Sequence, residues 1–162
     1  MSQQQEQNKP NDLKHRKIRM AISVGLGAGV IWGIVGFLAY YLQFTDVGTS
    51  IYAKPVLNPE YVNTWKGHLI GVLFFVLFTL IAAFIYVFTL TRFKGPIAGI
   101  IYGVFLWALL FFAMNPLFHL TNPVKELGWN TNSVMISLYV LIGLFIGYSL
   151  SAEFNNQDEG NQ

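Results

Sequence analysis

The side chains able to do acid–base or metal chemistry in this chain are few, and they gather in two places. His68, His119, Asp46, Glu60 and Glu126 fall in or beside two polar segments, 45–68 and 119–132. An imidazole beside a carboxylate can relay a proton or hold a metal ion. The spacing favours neither. There is no HExxH, no pair of His four apart and no glycine-rich phosphate loop. The chain has no Cys, which excludes disulfides, thiolate metal sites and cysteine nucleophiles. Isolated His and Glu in loops are ordinarily just solvated. No catalytic residue, metal ligand, cofactor or nucleic-acid partner is therefore expected, and the chain is not read as an enzyme.

What positions these segments is apolar. Of the 162 residues, 54% are hydrophobic and 11% charged, against about 25% charged in a soluble domain. Four runs, 20–44, 69–91, 97–118 and 133–152, contain no Asp, Glu, Lys, Arg or His. A helix needs about 20 apolar residues to cross the hydrocarbon, and each run supplies them. None keeps the polar face of a soluble helix. The first run exceeds the roughly 7–15 apolar residues of a signal-peptide core, and no small-residue cleavage pattern follows it, so it reads as a retained helix. The fold class expected is an all-α membrane protein of four transmembrane helices, a membrane domain over 13–152. The flanks 1–12 and 153–162 are rich in Gln, Asn and charge and are expected to be disordered. No charge lies inside a span, which argues against a proton-coupled pump.

Orientation follows the Lys and Arg distribution. Lys9, Lys14, Arg16, Lys17 and Arg19 precede the first run, and Arg92 and Lys94 lie in the link 92–96; the two polar segments hold only Lys54, Lys66 and Lys125. Seven cations against three put both ends and the short link in the cytoplasm, and the segments 45–68 and 119–132 outside. Lys14, Arg16, Lys17 and Arg19 also suit anionic lipid, each cation contributing about 1 kcal/mol near the surface.

The second half echoes the first. Ala28-Gly29-Val30-Ile31-Trp32-Gly33 matches Ala98-Gly99-Ile100-Ile101-Tyr102-Gly103, and Leu69-Ile70-Gly71 resembles Leu141-Ile142-Gly143. Between them, Asn58-Pro59 and Asn122-Pro123 each precede a tryptophan at the same spacing, Trp65 and Trp129. Two parallel copies of one helical hairpin are expected. Small residues recur four apart, so that they share a face: Gly25, Gly29 and Gly33; Gly67 and Gly71; Gly95, Gly99 and Gly103; Gly143 and Gly147. Glycine there lets backbones approach closely, either within one bundle, the reading preferred here, or at a homo-oligomer seam. Tyr40, Tyr41, Trp65, Trp129, Tyr139 and Tyr148 read as interface anchors. Trp32, Tyr102 and Trp107 sit deeper and want hydrogen-bond partners across a seam.

The segment Trp107-Ala108-Leu109-Leu110-Phe111-Phe112-Ala113-Met114-Asn115-Pro116-Leu117-Phe118 and the ending from Tyr139 to Ser151, with Trp32-Gly33 and Phe44-Thr45, resemble the YqhR family. These are small multi-pass membrane proteins of Bacillus-type bacteria. The resemblance implies a bacterial plasma-membrane location and carries over no catalytic residue.

Two external loops of about 24 and 14 residues exceed the 2–8 typical of bundle connections, and a hairpin that only turned round would not need them. Asn58 and Asn122, restricted by the following proline, are expected to begin turns. Trp65 and Trp129 are expected beside the headgroups, as anchors or as a contact surface. The function expected is contact with other membrane components, a membrane-protein partner or a second copy. The alternative is a small permease or channel for an uncharged solute, an oligomer with a path lined by Thr79, Thr89, Asn115 and Ser137. Because the chain is Cys-free, topology is directly testable. Cysteines at Asn58 and Thr131 should react with an impermeant thiol reagent in intact cells, and those at Ser2 and Gln162 only after permeabilisation. Labelling of either end in intact cells reverses the orientation.

Overall fold

In the computed structural model, backbone is described for residues 2–90 and 96–158 and side chains for 14–90 and 96–152. Helix α1 (Ser2–Tyr41) runs to the first loop, which holds a 3-10 turn at Thr49–Tyr52 and a short helix α2 (Pro59–Val62). Helix α3 (Trp65–Thr89) follows. The next span is built of α4 (Pro96–Ala108), a π-helical stretch at Leu109–Met114, and α5 (Asn115–Phe118). Helix α6 (Trp129–Asp158) is the last described element. Four stretches, Lys14–Tyr41, Trp65–Thr89, Pro96–Phe118 and Trp129–Ala152, are long and apolar enough to cross a membrane, with mean hydropathies of 2.0, 2.8, 2.3 and 2.0. No strand occurs among the described residues.

The ends of the spans differ from those expected, each for a local reason. α1 stops at Tyr41, not residue 44, because Gln43 adopts a left-handed φ of 60°. The Phe44 N–H bonds Ala39 O at 2.9 Å and the Gln43 N–H bonds Tyr40 O at 3.0 Å. This is a Schellman closure, usually built on glycine. α3 starts at Trp65, four residues before Leu69, because Thr64 caps it: its Oγ1 accepts from the Gly67 N–H at 3.2 Å. α6 likewise starts at Trp129, before Ser133. The third span is not one regular helix. Pro116 has no N–H to offer the Phe112 carbonyl, and its ring would strike that carbonyl. The backbone just ahead widens into the π stretch. α5 ends on His119, in the left-handed region at φ 49°, ψ 48°.

Helical backbone reaches back to Ser2 and on to Asp158, where composition alone predicts disorder. Residues 159–162 lie outside the described residues, as do 91–95, which include Gly95, Arg92 and Lys94 of the expected tight link.

α1 packs on α3 and α4 on α6, and α1 against α6 joins the two hairpins. The Tyr102 hydroxyl of α4 donates to Ala82 O of α3 at 2.7 Å, closing the ring of helices. Glycine sets the approach distance. A Cβ on Gly25 would lie 2.8 Å from Leu80 Cα, one on Gly29 2.6 Å from Val76 Cα, and one on Gly33 3.0 Å from Val72 Cγ1. In the second hairpin, a Cβ on Gly103 would lie 2.8 Å from Val140 Cα, one on Gly143 would collide with the Gly103 backbone, and one on Gly147 would lie 2.7 Å from Gly99 Cα. Gly67 and Gly71 do a different job from the helix packing expected of them. They receive loop backbone, from Tyr61–Val62 and from Thr49–Ser50 respectively. The seams also differ in register. Gly33 faces Val72, yet its counterpart Gly103 faces Tyr139 and Val140, about one turn from the position that the sequence echo would give.

Overpacking a seam costs about 1–3 kcal/mol. Gly143→Ala should therefore lower the melting temperature in detergent, and Gly29→Leu and Gly99→Leu should lower it further. Gly27→Ala should not, since a Cβ there meets nothing within 4 Å. Wild-type melting of Gly143→Ala would refute backbone-to-backbone contact. A changed oligomer size without a changed melting point would move the seam between chains.

Candidate functional site: the loop cap

The two long loops are tied into one body. The Asp46 N–H donates to Thr131 Oγ1 at 3.1 Å, and that hydroxyl donates back to Asp46 Oδ2 at 2.9 Å. The Lys54 ammonium donates to His119 O at 2.6 Å and Leu120 O at 2.9 Å. Those carbonyls follow the end of α5, where unpaired acceptors and the helix dipole favour a cation. The second loop is shaped by two asparagines. Asn115 accepts from the Thr121 N–H at 2.8 Å and donates to Asn122 O at 3.3 Å. The Asn132 amide donates to Val124 O and Leu127 O, both at 2.9 Å. The first loop is pinned to α3 by Thr49, whose hydroxyl donates to His68 O at 3.0 Å.

Between the loops lies a bowl of about 490 Å³, within the range of ligand-sized pockets. Asp46, Lys54, His68 and His119 line it, with Ser50, Asn63, Thr121 and Asn122. His68 is 5% exposed and its Nδ1 has no hydrogen-bond partner. Its ring lies 4.5 Å from that of Tyr40 and 5.9 Å from that of Phe37, centroid to centroid. Gly48 closes over its edge. A Cβ there would run into the imidazole Cε1 and sit 3.2 Å from Tyr40 Cδ2, so only glycine lets the loop pass.

Beneath Gly48, the Tyr52 and Tyr139 hydroxyls share a hydrogen bond of 2.6 Å. Burial pushes the Tyr52 phenol well above its ordinary value, and the bond from Tyr139 pulls it back only in part. A cavity of about 20 Å³ adjoins this pair, lined by Trp32, Gly36, Val47, Gly48 and Phe75 among others. That is room for about one water. Tyr139, expected as an interface anchor, is instead a buried partner of the first loop.

Of the five candidates for chemistry, Asp46, His68 and His119 converge on the bowl; Glu60 and Glu126 do not line it. No group of three His, Cys, Asp or Glu among the described residues is arranged to hold a metal ion. Asn58 sets the start of α2, with φ −61° and ψ 141° ahead of Pro59, and makes no side-chain cap bond. Asn122 lines the bowl. Trp65 and Trp129 each open a span helix and stand outward, 66% and 85% exposed, with Lys66 Nζ 5.8 Å from the Trp65 ring centroid. Of the deeper aromatics, Tyr102 finds a carbonyl, whereas Trp32 Nε1 and Trp107 Nε1 have no partner. Sequence reasoning did not single out Lys54 as a tie, and it took Thr131 for a freely exposed position. Thr131 is 2% exposed. Asn130, exposed beside it, is the residue at which outside labelling reports topology.

Residues 1–162 match the family described as "Conserved membrane protein YqhR". The chain belongs to the YqhR family. It is 34% identical over 154 residues to a Bacillus subtilis (strain 168) protein named "Uncharacterized protein YqhR", a match covering 93% of this chain and 86% of that one. No solved structure matches. The two segments that carried the YqhR resemblance have definite places in the cap and bundle. Residues 107–118 contain the π stretch and the Asn115 side chain that shapes the second loop. Residues 139–151 contain Tyr139, which bonds the first loop, and Gly143, which sets the α4–α6 approach. In this YqhR protein Thr131→Val removes both bonds to Asp46. Asp46 is exposed and water can replace its partner, so the loss is that of the hydrogen bonds alone, about 1 kcal/mol; the variant should melt slightly earlier and exchange amides faster across 45–54. Unchanged melting and exchange would mean that the loops are held together elsewhere.

Proposed function

We propose that the protein acts through contacts with other membrane components, made at the outer cap, and has no catalytic role. The observation that carries this is the outward stance of Trp65 and Trp129, 66% and 85% exposed, on a cap cross-linked by Asp46–Thr131 and Lys54–His119. Tryptophan is the side chain most enriched at binding hot spots. A rigid support lowers the ordering cost of a contact. The Lys and Arg distribution supports a bacterial plasma-membrane orientation with both ends cytoplasmic and the cap outside. Lys14, Arg16, Lys17 and Arg19 then meet anionic lipid on the inner leaflet. The partner is a membrane protein or a second copy of the chain. Because the glycine seams are occupied within one chain, a second copy would use other faces, such as that of Gly27. Duplication of one hairpin is part of this reading. It is supported by Trp65 and Trp129 opening equivalent helices; the shifted seam register counts against it.

A photo-crosslinking side chain at Trp65 or Trp129 in living cells should give discrete protein adducts, and one at outward-facing Leu73 should not. Trp65→Ala and Trp129→Ala should each preserve insertion and melting, yet deplete the adduct formed at the other tryptophan. Adducts to lipid alone would reduce both residues to interfacial anchors. Solute leak through proteoliposomes of the purified chain would favour a permease instead.

A further inference from the structure

The bowl holds two opposite charges that are bonded to neutral groups and not to each other. Asp46 is engaged by the Thr131 hydroxyl, and Lys54 by two backbone carbonyls. An ammonium has three N–H donors and a carboxylate about four acceptor sites, so each keeps capacity toward the bowl beyond these bonds. His68 also borders it, nineteen-twentieths buried and packed under Gly48. One carboxylate and one ammonium give the bowl no net charge, so it selects neither simple anions nor simple cations. It suits a molecule carrying both signs.

We infer that this bowl binds a small zwitterion, of amino-acid to dipeptide size, with its ammonium at Asp46 and its carboxylate at Lys54. The site is separate from the exposed faces of Trp65 and Trp129 and does not depend on a protein partner. Lys54 is a structural tie as well as a ligand group, so a zwitterion bound there couples occupancy of the bowl to the junction between the two loops.

Calorimetric titration of the purified chain in nanodiscs tests this with glycylglycine, N-acetyl-glycylglycine and glycylglycinamide. Glycylglycine should bind saturably. Each analogue lacking one charge should bind about tenfold more weakly, the loss of one charge-assisted contact. Asp46→Asn keeps an oxygen for Thr131 and removes the charge, so it should melt like the wild type and bind glycylglycine about tenfold more weakly. Absence of saturable binding at millimolar glycylglycine overturns the inference, as does equal affinity for all three compounds. If Asp46→Asn fails to fold, the three-compound comparison on the unaltered chain still decides the matter.

Discussion

Lipid gives these helices no hydrophobic reason to associate, because acyl chains are as apolar as leucine. What holds them is backbone contact at the glycine seams, and the rest of the architecture depends on it. Between α4 and α6 the contact is glycine on glycine, Gly103 on Gly143 and Gly99 on Gly147. Between α1 and α3 it is glycine on side chain and backbone, with Gly25, Gly29 and Gly33 against Leu80, Val76 and Val72. Dispersion falls off steeply with distance, so a seam that approaches to backbone contact gains many weak attractions at once. It also brings polar groups within reach. The Thr79 hydroxyl meets Gly25 O at 3.1 Å only because α1 has no side chain at that place. Large apolar side chains are left to the outside: Ile22, Leu26, Leu73, Ile81 and Phe105 are all exposed and suit lipid.

The cap extends the same logic to irregular backbone. Non-helical chain at or near membrane depth is tolerated only where its N–H and C=O groups find partners or water. The 3-10 turn at Thr49–Tyr52 is buried over most of its length and rests on Gly71. Its neighbours are anchored by Thr49 to His68 O and by Tyr52 to Tyr139. The second loop gets its acceptors and donors from Asn115 and Asn132, and its helix-end carbonyls from Lys54. Each tie takes one residue from a loop and another from a span or the opposite loop. The seams fix where the helix tops stand, and only then can a threonine in α6 meet an aspartate that follows α1.

This explains what the sequence made legible and what it did not. Four spans follow from apolar length and absent charge, properties summed over some twenty residues each and insensitive to any one. Their ends depend on single residues. Thr64 as a cap was visible in principle ahead of Trp65, but Gln43 in the left-handed region was not, since glycine usually takes that place. The π stretch was foreshadowed by Pro116 and passed over because the run is apolar throughout. The seam glycines were legible by spacing, yet spacing could not tell Gly71, which receives a loop, from Gly33, which receives a helix. The bowl was least legible of all. Asp46 and Thr131 are 85 positions apart, Lys54 and His119 65 apart, and no local pattern links them. His68 looked like one more solvated loop histidine, whereas it is the fourth residue of α3, with its ring shielded by Tyr40 and Phe37.

The same geometry bears on whether one chain could conduct a solute. Thr79, Thr89, Asn115 and Ser137 are not brought together within one chain. Thr79 is buried, with its hydroxyl bonded to Gly25 O and to carbonyls of its own helix. Asn115 is occupied in holding the second loop. Ser137 bonds back to Ser133 O on an exposed face, and Thr89 is exposed near the opposite end of α3. Below the bowl, the Tyr52–Tyr139 pair and Phe75 border a space fit for about one water, and the core continues as Leu106, Leu110, Ile142 and Ile146, all buried. A solute entering from the loop side meets a polar bowl with a closed apolar floor. Such a shape can hold a molecule or transmit a change in loop packing to the helix tops without passing anything through.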